Sequence, residues 1–246
     1  MKRITYFLIP LLLSTNTNAL DSFIVDFKLI IDNLEVAKEV RVLDRYVDKY
    51  VYTANAKTTG IAKLLGDISI EAKSVFTIND SGVNSQKYIM NEKRDKAITK
   101  SYALNFSSEN NTVISEPTIN QTEARVFKTE KGNILDPLSL FMALSYDLEK
   151  NPNQLIFNYQ IADGKYLKTK KYKKTSNQSL MINNKMETVI TIEQLDSDEP
   201  MMALFSPKHQ FLPVLIKQSK RNSEHRYVLT GLKVKMENSE LLQVIF

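Results

Sequence analysis

The 246-residue chain contains no cysteine. Disulfides, thiolate nucleophiles, thiolate metal sites and thiol redox chemistry are therefore excluded, and stability rests on core burial. With six glycines the composition is not that of a collagen-like or flexible low-complexity chain. The two histidines, His209 and His225, lack the spacing of a metal motif, so no metal site is expected. No G-x-S-x-G nucleophile turn and no phosphate-cradling glycine loop occurs. Aspartates and glutamates are plentiful, but no spacing favours a glycosidase-type pair. The expectation is a protein that is not an enzyme and needs no cofactor, with a hydrolase as the alternative. No apolar run reaches the roughly 20 residues of a membrane-spanning helix.

What is present begins with a targeting pattern. Lys2 and Arg3 precede an apolar stretch from Ile4 to Leu13, and Thr17 and Ala19 suit the small positions before a signal-peptidase cut. Residues 1–19 are expected to be a cleaved signal peptide, and 20–246 a single β-rich domain. Without a cysteine after the apolar stretch no N-terminal lipid anchor of the bacterial lipoprotein type is expected, so the mature chain is expected free in the periplasm. Losing Lys2 and Arg3 and no acid takes the formal charge from +5 to +3, mildly basic. That permits peripheral contact with an anionic membrane surface. Nucleic acid is not an expected partner of an exported chain.

Period-two alternation dominates the rest. FIVDFKLII places Phe23, Val25, Phe27, Leu29 and Ile31 on one face. LEVAKEVRV places Leu34, Val36, Val40 and Val42 on the apolar face, with Glu35, Glu39 and Arg41 opposite. Asp32-Asn33 between them fits a tight hairpin turn. About ten such strands are counted, which implies an antiparallel sheet with one wet face. The stretch 105–121 reads as a long loop or weak strands, and TTGIAKLLGD (58–67) as a short helical or loop segment. In the terminal ELLQVIF, Leu242, Val244 and Phe246 alternate while Leu241 and Ile245 break the polar face. It reads as a docked terminal strand and not as a membrane-barrel strand.

ILDPLSLFMALSYDLEKNP (134–152) is the exception. Asp136 suits a cap, Pro137 the first helical position, and Asn151-Pro152 a stop, which predicts a helix over about 136–150. Leu138, Phe141, Met142, Leu144 and Leu148 form a broad apolar arc, with Ser139, Asp147 and Lys150 outside it. Such a helix must lie on the apolar face of the sheet. The predicted fold is thus mainly β: a curved antiparallel sheet forming an open or half-closed barrel or sandwich, with one central helix packed against it.

The order of FIVDFKLIIDNLEV, TTGIAKLLGDISIEAKSVFTINDSGV, ILDPLSLFMALSYDL, NYQIADGKYLKTKKYK and FLPVLIKQ closing on LTGLKVK resembles the bacterial envelope family catalogued as domain of unknown function 3108. The resemblance spans nearly the whole mature chain and implies an exported, mostly β protein, with no catalytic residue to carry over. The chain departs from that pattern at Asn33 and Ala37, where glycines are usual, and at Met202–Phe205, where a tryptophan is common.

Two candidate sites follow. If the helix covers the sheet only in part, an apolar cleft remains for a lipid or another envelope component, with Phe141, Met142 and Leu148 facing it. In GKYLKTKKYKK (164–174), Lys168, Lys170, Lys171 and Lys173 with interleaved tyrosines form a candidate anion-binding strand. A protein–protein module in envelope assembly is the alternative reading, with an envelope protein as partner.

Overall fold

A computed structural model describes residues 20–117, 123–130, 132–182, 184–220, 223–235 and 241–245. Residues 1–19, expected from sequence to be a signal peptide, and Phe246 lie outside the described residues. In chain order the strands are β1 (Phe23–Ile31), β2 (Leu34–Arg45), β3 (Tyr50–Thr58), β4 (Ile68–Asn79), β5 (Gly82–Arg94), β6 (Ala97–Ser107), β7 (Thr112–Ser115), β8 (Arg125–Lys128) and β9 (Ile134–Leu135). Helix α1 (Ser139–Lys150) follows. Then come β10 (Ile156–Ala162), β11 (Leu167–Ile182), β12 (Lys185–Leu195), β13 (Met201–Ser206), β14 (Leu212–Lys220), β15 (Ser223–Lys235) and β16 (Leu241–Ile245). All sixteen join one curved sheet in the order β8-β7-β6-β5-β4-β3-β2-β1-β15-β14-β13-β12-β11-β10-β9, with β16 added beside β15. Pairing is antiparallel throughout except between β9 and β10. The fold is the predicted one: mainly antiparallel β, curved, not closed by its ladder, with one α-helix among the described residues. Segment 58–67 supplies a 3-10 turn, Gly60–Leu65, and the stretch read as loop or weak strands contains β7.

The β1–β2 hairpin shows how sequence sets the wall. Asp32 and Asn33 both take positive φ, 46° and 71°, as a two-residue turn matched to strand twist requires. The register then slips by one residue between Leu29 and Ile30, so that Val36 is extra on β2. A bulge of this kind reverses which side chains face inward beyond it. Past it, Phe27 is opposite Glu39, Val25 opposite Arg41 and Phe23 opposite Leu43. Directly opposed residues share a face, and Phe23, Val25 and Phe27 are buried. Glu39, Arg41 and Leu43 are therefore inside, while Val40 is 39% exposed. This corrects the expectation that Val36, Val40 and Val42 face the core and Glu39 and Arg41 the solvent.

Helix α1 lies in the concave interior, touching β5 on one arm and β10 and β14 on the other. Leu140, Met142, Ala143, Leu144 and Leu148 are buried, and so are Ser139 and Ser145. Each leucine or methionine side chain so buried is worth about 1.5–3 kcal/mol. Ser139 thus corrects the expectation that it lies outside the packed face. Its burial is compensated by the predicted cap. Asp136 Oδ1 accepts the Leu138 and Ser139 N–H groups, each at 2.9 Å. Asp136 Oδ2 accepts the hydroxyls of Ser74 at 2.6 Å and Ser85 at 2.7 Å. The fully buried Asp136 carboxyl thereby ties the helix start to β4 and β5.

The ladder ends at β8 and β9, yet only residues 129–133 separate these strands in sequence. The two margins meet through side chains. The Gln160 amide pairs with the backbone of Glu130, accepting its N–H at 2.9 Å and donating to its carbonyl at 3.1 Å. Ser115 Oγ donates to the Gly164 carbonyl at 3.3 Å, and Gly164 (φ +87°) lies against the ring of Tyr102.

Candidate ligand site

The residues turned inward by the bulge form a polar spot in an apolar wall. Arg41 Nη2 donates to Glu39 Oε2 at 3.0 Å, and the two side chains are 6% and 10% exposed. The guanidinium carbon lies 4.8 Å from the Phe27 ring centre, 5.5 Å from that of Phe141 and 5.8 Å from that of Tyr227. These are cation–π distances, which help hold a charge away from water. Burial by itself would lower the guanidinium pKa; the Glu39 carboxylate, helped by Tyr52, outweighs it, and the net direction is upward. Arg41 stays charged. Burial raises the phenols of Tyr52 and Tyr227, so both stay neutral. Among the described residues, Arg41 Nε and Nη1 have no hydrogen-bond partner.

The neighbours of this pair are small. Ala54 is opposite Arg41 and Ala56 opposite Glu39 on β3, and β4 continues with Ala72 opposite Ala54 and Ile70 opposite Ala56. One rung further along the barrel, Leu43, Tyr52, Ser74, Tyr88 and Leu104 follow one another across five strands, and all are buried. At the opposite end burial fades: Ala56 and Ala72 are partly exposed, and Ile70, on the inward face by alternation, is 37% exposed. The interior is thus filled at one end and open at the other, with Arg41 and Glu39 at the boundary. Beyond the open end, the 3-10 turn Gly60–Leu65 presents Ile61, 66% exposed, and Leu64, 85% exposed, on either side of the exposed Lys63.

Of the helix residues named from sequence, Phe141 is half-buried and faces Arg41, whereas Met142 and Leu148 are buried in the core. The four lysines are divided by strand alternation. Lys171 and Lys173 are exposed on one face of β11; Lys168 and Lys170 share the other with buried Tyr172. Lys168 Nζ stands 4.9 Å over the Tyr166 ring, and burial lowers the Lys170 amine against the pull of Asp163. Sequence reasoning missed Arg41 and Glu39. The signal was present in the ladder, since the strong Phe-Val-Phe face of β1 fixes what its partner turns inward.

His209 Nε2 lies 3.3 Å from Glu187 Oε2. Among the described residues no cluster of three or more His, Asp or Glu is placed to hold a metal ion, and no helix is long and apolar enough to cross a membrane.

No family model and no curated protein matches the chain. A crystal structure of a beta-barrel-like protein of domain of unknown function DUF1849 from Brucella abortus is similar, with a TM-score of 0.59 at 10% identity over 88% of this chain and 98% of that one. A DUF1089 family protein from Pseudomonas aeruginosa has a TM-score of 0.41 at 7% identity over 74% and 89%. The first likeness shows the fold, a barrel-like sheet.

Proposed function

We propose that this chain is an exported, non-enzymatic periplasmic protein that binds an apolar or amphiphilic component of the cell envelope, such as a lipid, inside its half-open barrel. The observation that carries the reading is the unequal filling of the interior. Tyrosine and leucine rungs close one end, while Ala56, Ala72 and Ile70 leave inward-facing apolar surface in contact with water at the other. Inward apolar surface left wet costs free energy that an acyl chain would recover, about 25 cal/mol per Å² covered. The exposed Ile61 and Leu64 beside Lys63 at that end suit transient contact with an anionic membrane from which such a ligand is taken. The resemblance to the envelope family of domain of unknown function 3108 fits the same setting.

Delipidated protein should bind a fluorescent fatty acyl probe at one saturable site. Ala56→Phe, which fills the open end, should weaken that binding at least about tenfold and leave the thermal midpoint within a few degrees. Equal binding by the variant, or no saturation in the parent, would end this reading.

A second reading, a protein–protein module in envelope assembly, is favoured by one specific observation. The bulge leaves Val40 exposed on the outer face of β2. Photocrosslinking from position 40 in the intact envelope should recover one specific protein if that face is used.

A further inference from the structure

We infer that the ligand carries an oxygen-acceptor head, a carboxylate or an ester carbonyl, seated on Arg41 with its apolar body extending along the alanine rung; this rests on the barrel-binding reading above. Arg41 is 5% exposed, and two of its nitrogens, Nε and Nη1, have no partner at hydrogen-bonding geometry among the described residues, the Tyr52 phenol being the polar group beside them. A buried donor left unpaired costs about 1–3 kcal/mol, more when charged. The group that satisfies it is an acceptor. Glu39 bonds only Nη2 and already cancels the charge. Net attraction for an anion is therefore small, and hydrogen-bond geometry decides. The walls agree. The rings of Phe27, Phe141 and Tyr227 surround the guanidinium. Ala54, opposite Arg41, and Ala56, opposite Glu39, withhold bulk where an acyl chain would lie. A head that only donates, such as an ammonium, leaves these donors unpaired and finds an acceptor only in the Glu39 carboxylate, which Arg41 already occupies.

Competition against a fluorescent acyl probe tests this with three heads on one twelve-carbon chain: dodecanoate, methyl dodecanoate and dodecylammonium. The parent protein should prefer at least one acceptor head over the ammonium by at least about tenfold. A stronger carboxylate points to a free acid as the source, and a stronger ester points to an esterified lipid. In the double variant Glu39→Leu with Arg41→Met, which removes both charges together so that neither is stranded, the probe should still bind while the preference shrinks to about twofold. Saturable probe binding with no preference among heads in the parent would overturn the assignment of Arg41 and leave the barrel reading standing. A preference that survives in the double variant would also overturn it. If the probe does not bind the parent saturably, both fail.

Discussion

Replacing Asp136 with alanine should be among the most damaging single changes in this chain. The substitution removes an acceptor of four hydrogen bonds from a fully buried position. Loss of the helix cap costs about 1 kcal/mol. Ser74 loses its acceptor inside the core, a penalty of about 1–3 kcal/mol, and Ser85 loses one of its partners, for a smaller share. Ser85 keeps the hydroxyl of Ser139 at 2.8 Å. The sum is roughly 3–5 kcal/mol. For a chain of this size each kcal/mol moves the thermal midpoint by about 2–4 °C, so a fall of about 10 °C is expected. Urea unfolding followed by circular dichroism should show a lower midpoint with an unchanged slope. Asp136→Asn keeps one oxygen for the backbone N–H groups and should cost less, about 1–2 kcal/mol. A double-mutant cycle with Ser74→Ala should give a coupling of about 1 kcal/mol. Additive effects in that cycle, or a loss below about 1 kcal/mol for Asp136→Ala, would show that this cap does not tie the helix to the sheet.

Two further outcomes follow from the same geometry. At Gly164, an added Cβ would fall 2.5 Å from Tyr102 Cδ2 on a backbone with φ +87°. Gly164→Ala should therefore destabilise by about 2–4 kcal/mol, and Tyr102→Leu should restore only the steric part; complete rescue would mean that the backbone is unstrained. Burial lowers the imidazole of His209 against the pull of Glu187, and burial also lowers that of His225. The unfolded chain then takes up these protons first. Stability from this source is complete above about pH 6.5 and lost as pH falls through the folded values. Asp147, raised by burial despite the Tyr159 hydrogen bond, acts in the opposite direction on acidification. Urea midpoints at pH 7.5 and 5.5 should show a loss in the parent that shrinks when both histidines are replaced by glutamine; a loss of the same size in that variant would contradict this account.

The alternation along β1 and the punctuation around α1 were readable because each depends on neighbours in sequence. Asp136 caps, Pro137 follows it, and Asn151 ends the helix, as their local chemistry requires. The face of β2 was not readable, because it depends on one unpaired residue. Were Val36 paired in an unbroken ladder, Val25 would pair with Val40 and the apolar pattern would point inward; with Val36 bulged out, the pairing partner is Arg41. Sequence periodicity records which residues share a face, while the ladder decides which way that face points. The candidate site inherits this. Phe141 stood out as an apolar residue on an amphipathic helix, whereas Arg41 read as one more wet-face charge. The burial of Ser139 had the same origin: its hydroxyl is accommodated by Ser85 and Asp136, remote in sequence from each other.

The way the two margins of the sheet meet has a mechanical consequence. A barrel closed by a continuous ladder has its girth locked to an integer stagger of strands. Here the clasp is a glutamine amide and a few neighbouring contacts, mostly exposed. Undoing it forfeits hydrogen bonds worth about 0.5–1.5 kcal/mol each, and no strand need be peeled from its partner. The circumference of this protein is therefore not locked by strand stagger along that line; on the barrel-binding reading proposed above, parting it would admit cargo of varied thickness while the remaining pairings stay intact.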